Sequence, residues 1–164
     1  MTSTINKSAL VTAIVAQLQC ELNTAIKASQ AAHESATHSE NVAENKYDTL
    51  GLEAAYLAHG QSLRIVELQS VINQLEAFRC PEFNAETAIA AGALVTLLGD
   101  SEQQRYVFIS PSTGAMTISV AGRAVQVVSA KAPLGKALNG KYCGDEIVLT
   151  ISGRSQCYEI ISVQ

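Results

Sequence analysis

One acidic segment in the first half of the chain could do chemistry. The stretch HSENVAENKYD, residues 38–48, carries Glu40, Glu44 and Asp48 at intervals of four residues. Carboxylates are among the oxygen ligands that divalent cations such as Mg²⁺ prefer, so this segment could meet a metal ion. Acidic runs of this kind are also typical of a solvated helix surface. The spacing alone does not separate the two interpretations.

The net charge of the protein is concentrated in the same region. The chain has 164 residues and a formal net charge of -4 at pH 7, and residues 34–53 carry five carboxylates against Lys46 alone. An acidic surface repels the phosphate backbone of nucleic acids and attracts cations or basic protein surfaces. We therefore expect no direct binding to DNA.

The four cysteines indicate no zinc site in this chain. None of the four cysteines forms a C-x-x-C pair, the element from which many zinc sites are built. No uninterrupted apolar run approaches the ~18 residues of a membrane span. We expect a cytoplasmic protein with reduced thiols, without an intrinsic cofactor and without a membrane partner.

Two heptad seams flank the acidic segment. The first consists of Val11, Val15, Leu18, Leu22, Ala25, Ser29, Ala32 and Ala36, and the second of Ala54, Leu57, Gln61, Ile65, Leu68, Ile72 and Leu75. Alternating spacings of four and three residues are typical of coiled-coil helices. Thr37-x-x-Glu40 and Asn41-x-x-Glu44 fit capping boxes that start the second helix. The sequence predicts an antiparallel α-helical hairpin over residues 1–80, with arms about 45 Å long and the acidic segment at its tip.

The second half of the chain, residues 81–164, has a different pattern. Short apolar runs at 93–98, 104–109, 116–120, 124–128, 146–151 and 156–163 are divided by turn residues, as in an antiparallel sheet. Pro133 suits the first position of a short helix, and Gly140 suits its left-handed stop. The predicted fold class is α+β, a helical hairpin plus an antiparallel β-domain with one short helix, and the boundary falls between residues 78 and 88.

The stretch APLGKALNGKYCGDEIVL resembles the C-terminal domain of the bacterial Gre transcript-cleavage factors, GreA and GreB. Their pattern is close to S-P-[LI]-G-[RK]-A-L-x-G-K-x-x-G-D-E-V. This chain matches it in order at Pro133, Leu134, Gly135, Ala137, Leu138, Gly140, Lys141, Gly144, Asp145 and Glu146. Ala132 stands where the pattern has Ser. The resemblance implies a coiled-coil hairpin followed by an FKBP-like β-domain.

The resemblance also implies a partner, bacterial RNA polymerase. In Gre factors the β-domain docks at the rim of the secondary channel, and the hairpin enters the channel. Carboxylates at its tip then help to hold the second Mg²⁺ of the polymerase and promote cleavage of backtracked RNA. On this basis we expect a monomer that contacts nascent RNA only indirectly. It is not an enzyme itself and at most donates carboxylates to the polymerase.

The resemblance assigns roles to several tip residues. The Gre tip carries an Asp, two further residues and then Glu-Asn-Ala-Glu-Tyr. In one register Glu44 and Asn45 match the Glu-Asn pair, Tyr47 comes one position early, and Asn41 stands where the family has the Asp. In a second register Glu40 and Asn41 match the pair, and Thr37 takes the Asp position. Neither register has both carboxylates. The candidate metal-assisting carboxylates are therefore Glu44 with help from Glu40 or Asp48. Each of the three could instead cap the second helix or favour its dipole.

Candidate docking residues lie in the C-terminal motif. They are Pro133, Leu134, Lys136, Lys141, Asp145 and Glu146. Leu134 could instead be a core residue, and the two lysines could simply keep the surface soluble. With no Trp and three Phe, the aromatic proline pocket of a prolyl isomerase is not expected.

Three functions remain open at this point. The chain could stimulate RNA cleavage through Glu44, or it could occupy the channel as a non-catalytic regulator, as the missing Asp at position 41 suggests. It could also be a coiled-coil adaptor that does not bind polymerase.

Overall fold

The computed structural model describes residues 4–37 and 49–164. The chain forms two compact units. Residues 15–76 make a helical unit, and the residues up to Ile14 together with Ala77–Gln164 make a β-unit. The predicted boundary at residue 80 lies close to the upper limit of the helical unit. The start of the first helix, which was assigned to the hairpin, groups with the strands instead.

The helical unit contains two long helices, as predicted. Helix α1 spans Lys7–Thr37 and α2 spans Leu50–Ala77. The described side chains that are buried within the helical unit are all members of the predicted seams: Leu18, Leu22, Ala25 and Ala32 on α1 and Leu68, Ile72 and Leu75 on α2. Arg64 Nη2 lies 3.4 Å from Glu21 Oε2 and links the two helices. The α-helical hairpin is confirmed.

Both seams depart from the prediction at some positions. At the start of α1 the fully buried residues are Leu10 and Ile14, whereas Val11 and Val15 are only half-buried. The reason is that this part of the helix belongs to the β-unit, so its buried face is set by other neighbours than α2. On α2, Leu57 is exposed rather than part of the seam.

Helix α1 is apolar over most of its length. Within the described residues, one helix, Lys7–Ser35, is by length and composition long and apolar enough to cross a membrane. Long core helices of globular proteins meet the same criterion, because an Ala- and Leu-rich seam raises the mean hydropathy. The hydropathy of α1 follows in part from the seam residues that it buries.

The β-unit contains a six-stranded sheet and one short helix. The strands are β1 Leu94–Gly99, β2 Gln104–Ser110, β3 Met116–Val120, β4 Arg123–Ser129, β5 Glu146–Ile151 and β6 Arg154–Val163, and the helix is α3 Pro133–Leu138. The strand order is β3-β4-β2-β1-β6-β5. All six predicted strands and the short helix are present, which confirms the α+β fold.

One pairing in the sheet is not antiparallel. Strand β4 inserts between β3 and β2 and runs parallel to β2, whereas the other four pairings are antiparallel. Helix α3 contacts both β4 and β5, which lie far apart in the strand order. The sheet therefore curls around α3. The core between them is mostly aliphatic, with Val95, Leu97 and Ile160 from the sheet and Leu138 from the helix.

The first turn of α1 is anchored within the β-unit. Lys7 Nζ donates a hydrogen bond to the Pro81 carbonyl at 2.5 Å and lies 5.0 Å from the centroid of the Phe83 ring. Burial lowers the pKa of Lys7, against the opposing influence of Cys80 and Glu82. Burial likewise raises the pKa of the Cys80 thiol, which the Lys7 charge partly offsets. Cys80 is therefore held as a neutral thiol.

Gly135 allows α3 to lie close to the end of β4, and its replacement is expected to destabilise the β-unit. A Cβ at Gly135 would lie 2.1 Å from the Ser129 carbonyl oxygen. We expect Gly135→Ala to lower the free energy of unfolding by about 3 kcal/mol, measured by urea denaturation.

Gly60→Ala is the control, because its Cβ would meet nothing within 4 Å. Alanine is favoured over glycine inside a helix by about 1 kcal/mol, so this variant should be slightly more stable. A Gly135→Ala protein as stable as the wild type would contradict the close contact.

Candidate functional site

The predicted tip residues fall in the part of the chain that the structure does not describe. Glu40, Glu44 and Asp48, together with Asn41, Asn45 and Tyr47, all lie outside the described residues. Their predicted roles therefore stay predictions. The structure does describe the helices on either side of this segment: α1 ends at Thr37, and α2 begins at Leu50.

The end of α1 differs from the sequence prediction. Thr37 was expected to cap the second helix, but it is the last residue of α1. Its hydroxyl donates to the His33 carbonyl at 3.0 Å, one turn back along the same helix. Threonine can satisfy its hydroxyl in this way inside a helix. Thr37 therefore does not start the second helix, which begins at Leu50, and Glu40 lies outside the described residues.

Helix α2 begins with a different capping residue. The Thr49 carbonyl accepts a hydrogen bond from the Glu53 backbone N–H at 2.8 Å, and the Thr49 hydroxyl donates to Glu53 Oε1 at 2.8 Å. Glu53 lies in the first turn, where a negative charge complements the helix dipole. In the sequence, the acidic segment therefore falls between the end of α1 and the start of α2.

The β-unit contains a cavity of about 480 Å³ next to α3. It is lined by Arg105, Ala115, Gln126, Val128, Ala132, Pro133, Leu134, Ala137, Val148, Leu149, Thr150 and Ile151. Most of these side chains are apolar, and Val148 and Ile151 are also exposed to solvent. A concave apolar surface with exposed aliphatic side chains is typical of an interaction site.

Arg105 supplies the one charged side chain of the cavity lining. Its guanidinium donates to Tyr158 Oη at 2.8 Å and to Gln126 Oε1 at 3.0 Å, and its Cζ lies 5.4 Å from the centroid of the Tyr158 ring. These contacts hold the guanidinium in a fixed orientation. The site residues predicted from the sequence do not include Arg105, Val148 or Ile151. The apolar run at 146–151 was the sequence signal available for Val148 and Ile151.

The predicted docking residues fall into two groups. Pro133 and Leu134 line the cavity. Lys136 and Lys141 are exposed outside its lining.

The other two predicted docking residues, Asp145 and Glu146, have contacts of their own. Asp145 Oδ2 accepts a hydrogen bond from the Tyr142 backbone N–H at 2.9 Å, which closes the turn before β5. Glu146 is exposed at the start of β5, with its Oε2 3.9 Å from Cys157 Sγ. Asp145 therefore has a structural role, whatever it contacts in a partner.

Two glycines of the C-terminal motif adopt backbone conformations that favour glycine. Gly140 has a φ of 78°, and its N–H donates to the Ile89 carbonyl at 2.8 Å. Gly144 has a φ of 91°, and its N–H donates to the Ile160 carbonyl at 2.7 Å. Positive φ angles of this kind favour glycine. Much of the motif therefore builds the domain and brings Pro133 and Leu134 to the cavity.

Side chains of the types that bind metal ions do not cluster in the described parts of the chain. Over residues 4–37 and 49–164, no group of three or more His, Cys, Asp or Glu side chains could hold a metal ion. All four cysteines are free. The predicted contribution to a metal site therefore rests on the acidic segment between α1 and α2.

Ala132 is the N-cap residue of α3 and makes no side-chain capping bond. A serine there could accept a hydrogen bond from a first-turn N–H, so we expect Ala132→Ser to stabilise the protein by about 1 kcal/mol. The measurement is the urea midpoint of unfolding. Ala132→Val, which adds bulk but no acceptor, is the control. A serine variant no more stable than the valine variant would contradict an uncapped helix start.

Comparison with known proteins finds GreA transcription elongation factors among the similar sequences. GreA transcription elongation factors from Xylella fastidiosa strain M12 and Rhodospirillum rubrum are 32% and 36% identical to this chain over 103 residues. These alignments cover 62% of this chain and 61% and 60% of the two relatives. GreA of Rickettsia canadensis is 28% identical over 132 residues, 77% of this chain and 78% of the relative. No family profile matches the chain.

Among solved structures, GreA factor homolog 1 of Thermus thermophilus is similar. The match has 20% sequence identity and a TM-score of 0.40, and it covers 92% of this chain and 94% of the other. A GreA/GreB factor from Nitrosomonas europaea matches with 17% identity and a TM-score of 0.38. The sequence relatives confirm the resemblance predicted from the C-terminal motif.

Proposed function

We propose that this chain, a Gre-like relative of the GreA transcription elongation factors, binds RNA polymerase at its secondary channel. The β-unit supplies the docking surface, and the acidic segment between α1 and α2 reaches toward the active centre. One observation carries the proposal. The motif that resembles Gre factors brings Pro133 and Leu134 to an apolar cavity of about 480 Å³.

The cavity is suited to an aliphatic side chain of a protein partner. Its walls come from α3, β4 and β5, and exposed Val148 and Ile151 extend the apolar surface beyond it. Burying such exposed side chains contributes about 25 cal/mol per Å² of apolar area. Arg105, whose guanidinium is held by hydrogen bonds to Tyr158 and Gln126, adds N–H donors to this apolar surface. Docking at this cavity gives the β-unit its affinity for polymerase.

The acidic segment acts on the catalytic metal of the polymerase. Mg²⁺ keeps several waters and is commonly held by one or two carboxylates in addition to substrate oxygens. A second metal ion can activate water for in-line attack on a phosphodiester. In this proposal Glu44 is the main carboxylate, assisted by Glu40 or Asp48, and the polymerase supplies the active site. The protein is a cytoplasmic cofactor of polymerase and has no active site of its own.

A second candidate function follows from Asn41. An amide oxygen can ligate Mg²⁺ but brings no charge, so the tip lacks one of the two carboxylates that a Gre factor presents. In that case the chain occupies the channel without promoting cleavage, and it acts by excluding other channel-binding factors.

Docking is tested by adding the same charge at two exposed strand positions. Val148→Lys puts an ammonium beside the cavity, and we expect it to weaken binding to purified RNA polymerase by about tenfold or more. Thr117→Lys adds the same charge to exposed Thr117 on β3, outside the cavity lining, and should bind as the wild type does. Fluorescence anisotropy of labelled protein gives both affinities. Equal weakening by the two variants would contradict docking at the cavity.

Cleavage is tested on stalled transcription complexes with Mg²⁺. We expect the wild type to shorten the RNA and Glu44→Ala to reduce the rate by at least about tenfold, because one carboxylate of the metal site is lost. Asn41→Asp restores the missing charge and should increase the rate.

Glu76→Ala, on α2 far along the sequence from the acidic segment, is the control and should cleave as the wild type does. If the wild type leaves the RNA intact but displaces a cleavage-active Gre factor, the non-catalytic function is correct. A wild type that does not bind polymerase contradicts both functions.

A further inference from the structure

Helix α2 carries a second apolar surface that the hairpin does not use. Leu52, Tyr56, Leu63 and Val66 are between 54% and 69% exposed. Their spacings of four, seven and three residues fit a heptad pattern, with His59 at the intermediate position. We call these four apolar residues and His59 the outer stripe.

The outer stripe lies on the opposite side of α2 from the seam. At 3.6 residues per turn, Leu63 lies within about 20° of Leu52 around the helix axis, whereas buried Leu68 and Ile72 lie about 160° away on either side. A surface helix usually has one apolar face and one polar face. An apolar stripe on both sides indicates a helix that packs on both sides.

The position of the outer stripe limits what can cover it. Only three residues separate Leu52 from the undescribed segment, and the stripe from Leu52 to Val66 is about 21 Å long. Any partner that surrounds the tip of the hairpin therefore lies next to the stripe as well. Under the proposed function, on which this inference rests, that partner is RNA polymerase.

The charges beside the outer stripe indicate what kind of surface fits it. Glu53 and Glu67 flank one side of the stripe, and the other flank carries the uncharged Ala55, Ser62 and Gln69. The cation Arg64 is already paired, at 3.4 Å with Glu21 and at 3.6 Å with Glu67. The complementary surface is apolar and bordered by Lys or Arg.

A second copy of this chain fits the outer stripe poorly. Antiparallel pairing of two α2 helices brings Glu53 of one copy beside Glu67 of the other, and like charges at such flanking positions disfavour the pair. Parallel pairing brings the two His59 side chains together in the middle of the apolar seam. A helix with basic flanks avoids both problems.

We propose that the outer stripe of α2 is a second polymerase-binding surface, which packs against an apolar helix of the polymerase bordered by Lys or Arg. The β-unit provides the docking site, and the stripe holds the hairpin once it has entered. The stripe also orients the acidic segment, because it begins within one helical turn of that segment.

The test compares two leucines of equal exposure on the same helix. Leu63 in the stripe is 56% exposed, and Leu57 on the seam side is 58% exposed. We expect Leu63→Ser to raise the Kd for purified RNA polymerase by about tenfold and Leu57→Ser to leave it within about twofold. Circular dichroism on both variants confirms that the hairpin is intact. Leu63→Lys should bind more weakly than Leu63→Glu, because the opposing border is basic.

The outcomes separate this inference from the proposed function. If the wild type binds polymerase and Leu63→Ser binds equally well, the stripe is not a contact and only this inference falls. Equal loss in Leu63→Ser and Leu57→Ser also overturns it, since the effect is then on the hairpin as a whole. If sedimentation shows a wild-type dimer that Leu63→Ser abolishes, a second copy covers the stripe and the inference is wrong. A wild type that fails to bind overturns the proposed function and the inference with it.

Discussion

The arrangement of the β-unit depends on the close approach of α3 to the end of β4. At Gly135 the helix lies so near the Ser129 carbonyl that a Cβ would be 2.1 Å from its oxygen. Because no side chain intervenes, a helix of only six residues can contact β4 and β5 together. Leu138 then closes the aliphatic core, and the cavity is the space left between Leu134 and the edge of β5.

In the proposed function, the β-unit contributes an apolar docking surface, and the helical region contributes negative charge. The β-unit has an apolar cavity and a near balance of charged residues, so it can bind by burying aliphatic surface. The acidic excess belongs to residues 34–53, which carry five carboxylates against Lys46 alone. The Ala- and Leu-rich seam that α1 and α2 bury is uncharged.

Most of the elements could be predicted from the sequence because they depend on local patterns. Heptad spacing identified both helices, alternating apolar runs identified six strands, and Pro133 marked the start of α3. Local patterns failed where a side chain had two possible partners. Thr37 could cap a following helix or bond back to His33, and only the path of the chain selected the second. Leu57 fits the heptad of α2, but nothing in the described hairpin covers it.

The sequence by itself determined the class of fold, the acidic segment and the resemblance to Gre factors, because these follow from composition, periodicity and a contiguous motif. Only the tertiary structure decided the parallel pairing of β2 with β4 and the grouping of Leu10 and Ile14 with the β-unit. It also decided that Arg105, Val148 and Leu134 line one cavity. These three residues are far apart in the chain. Their meeting depends on strand order and on the curl of the sheet, which are properties of long-range pairing that no local pattern encodes.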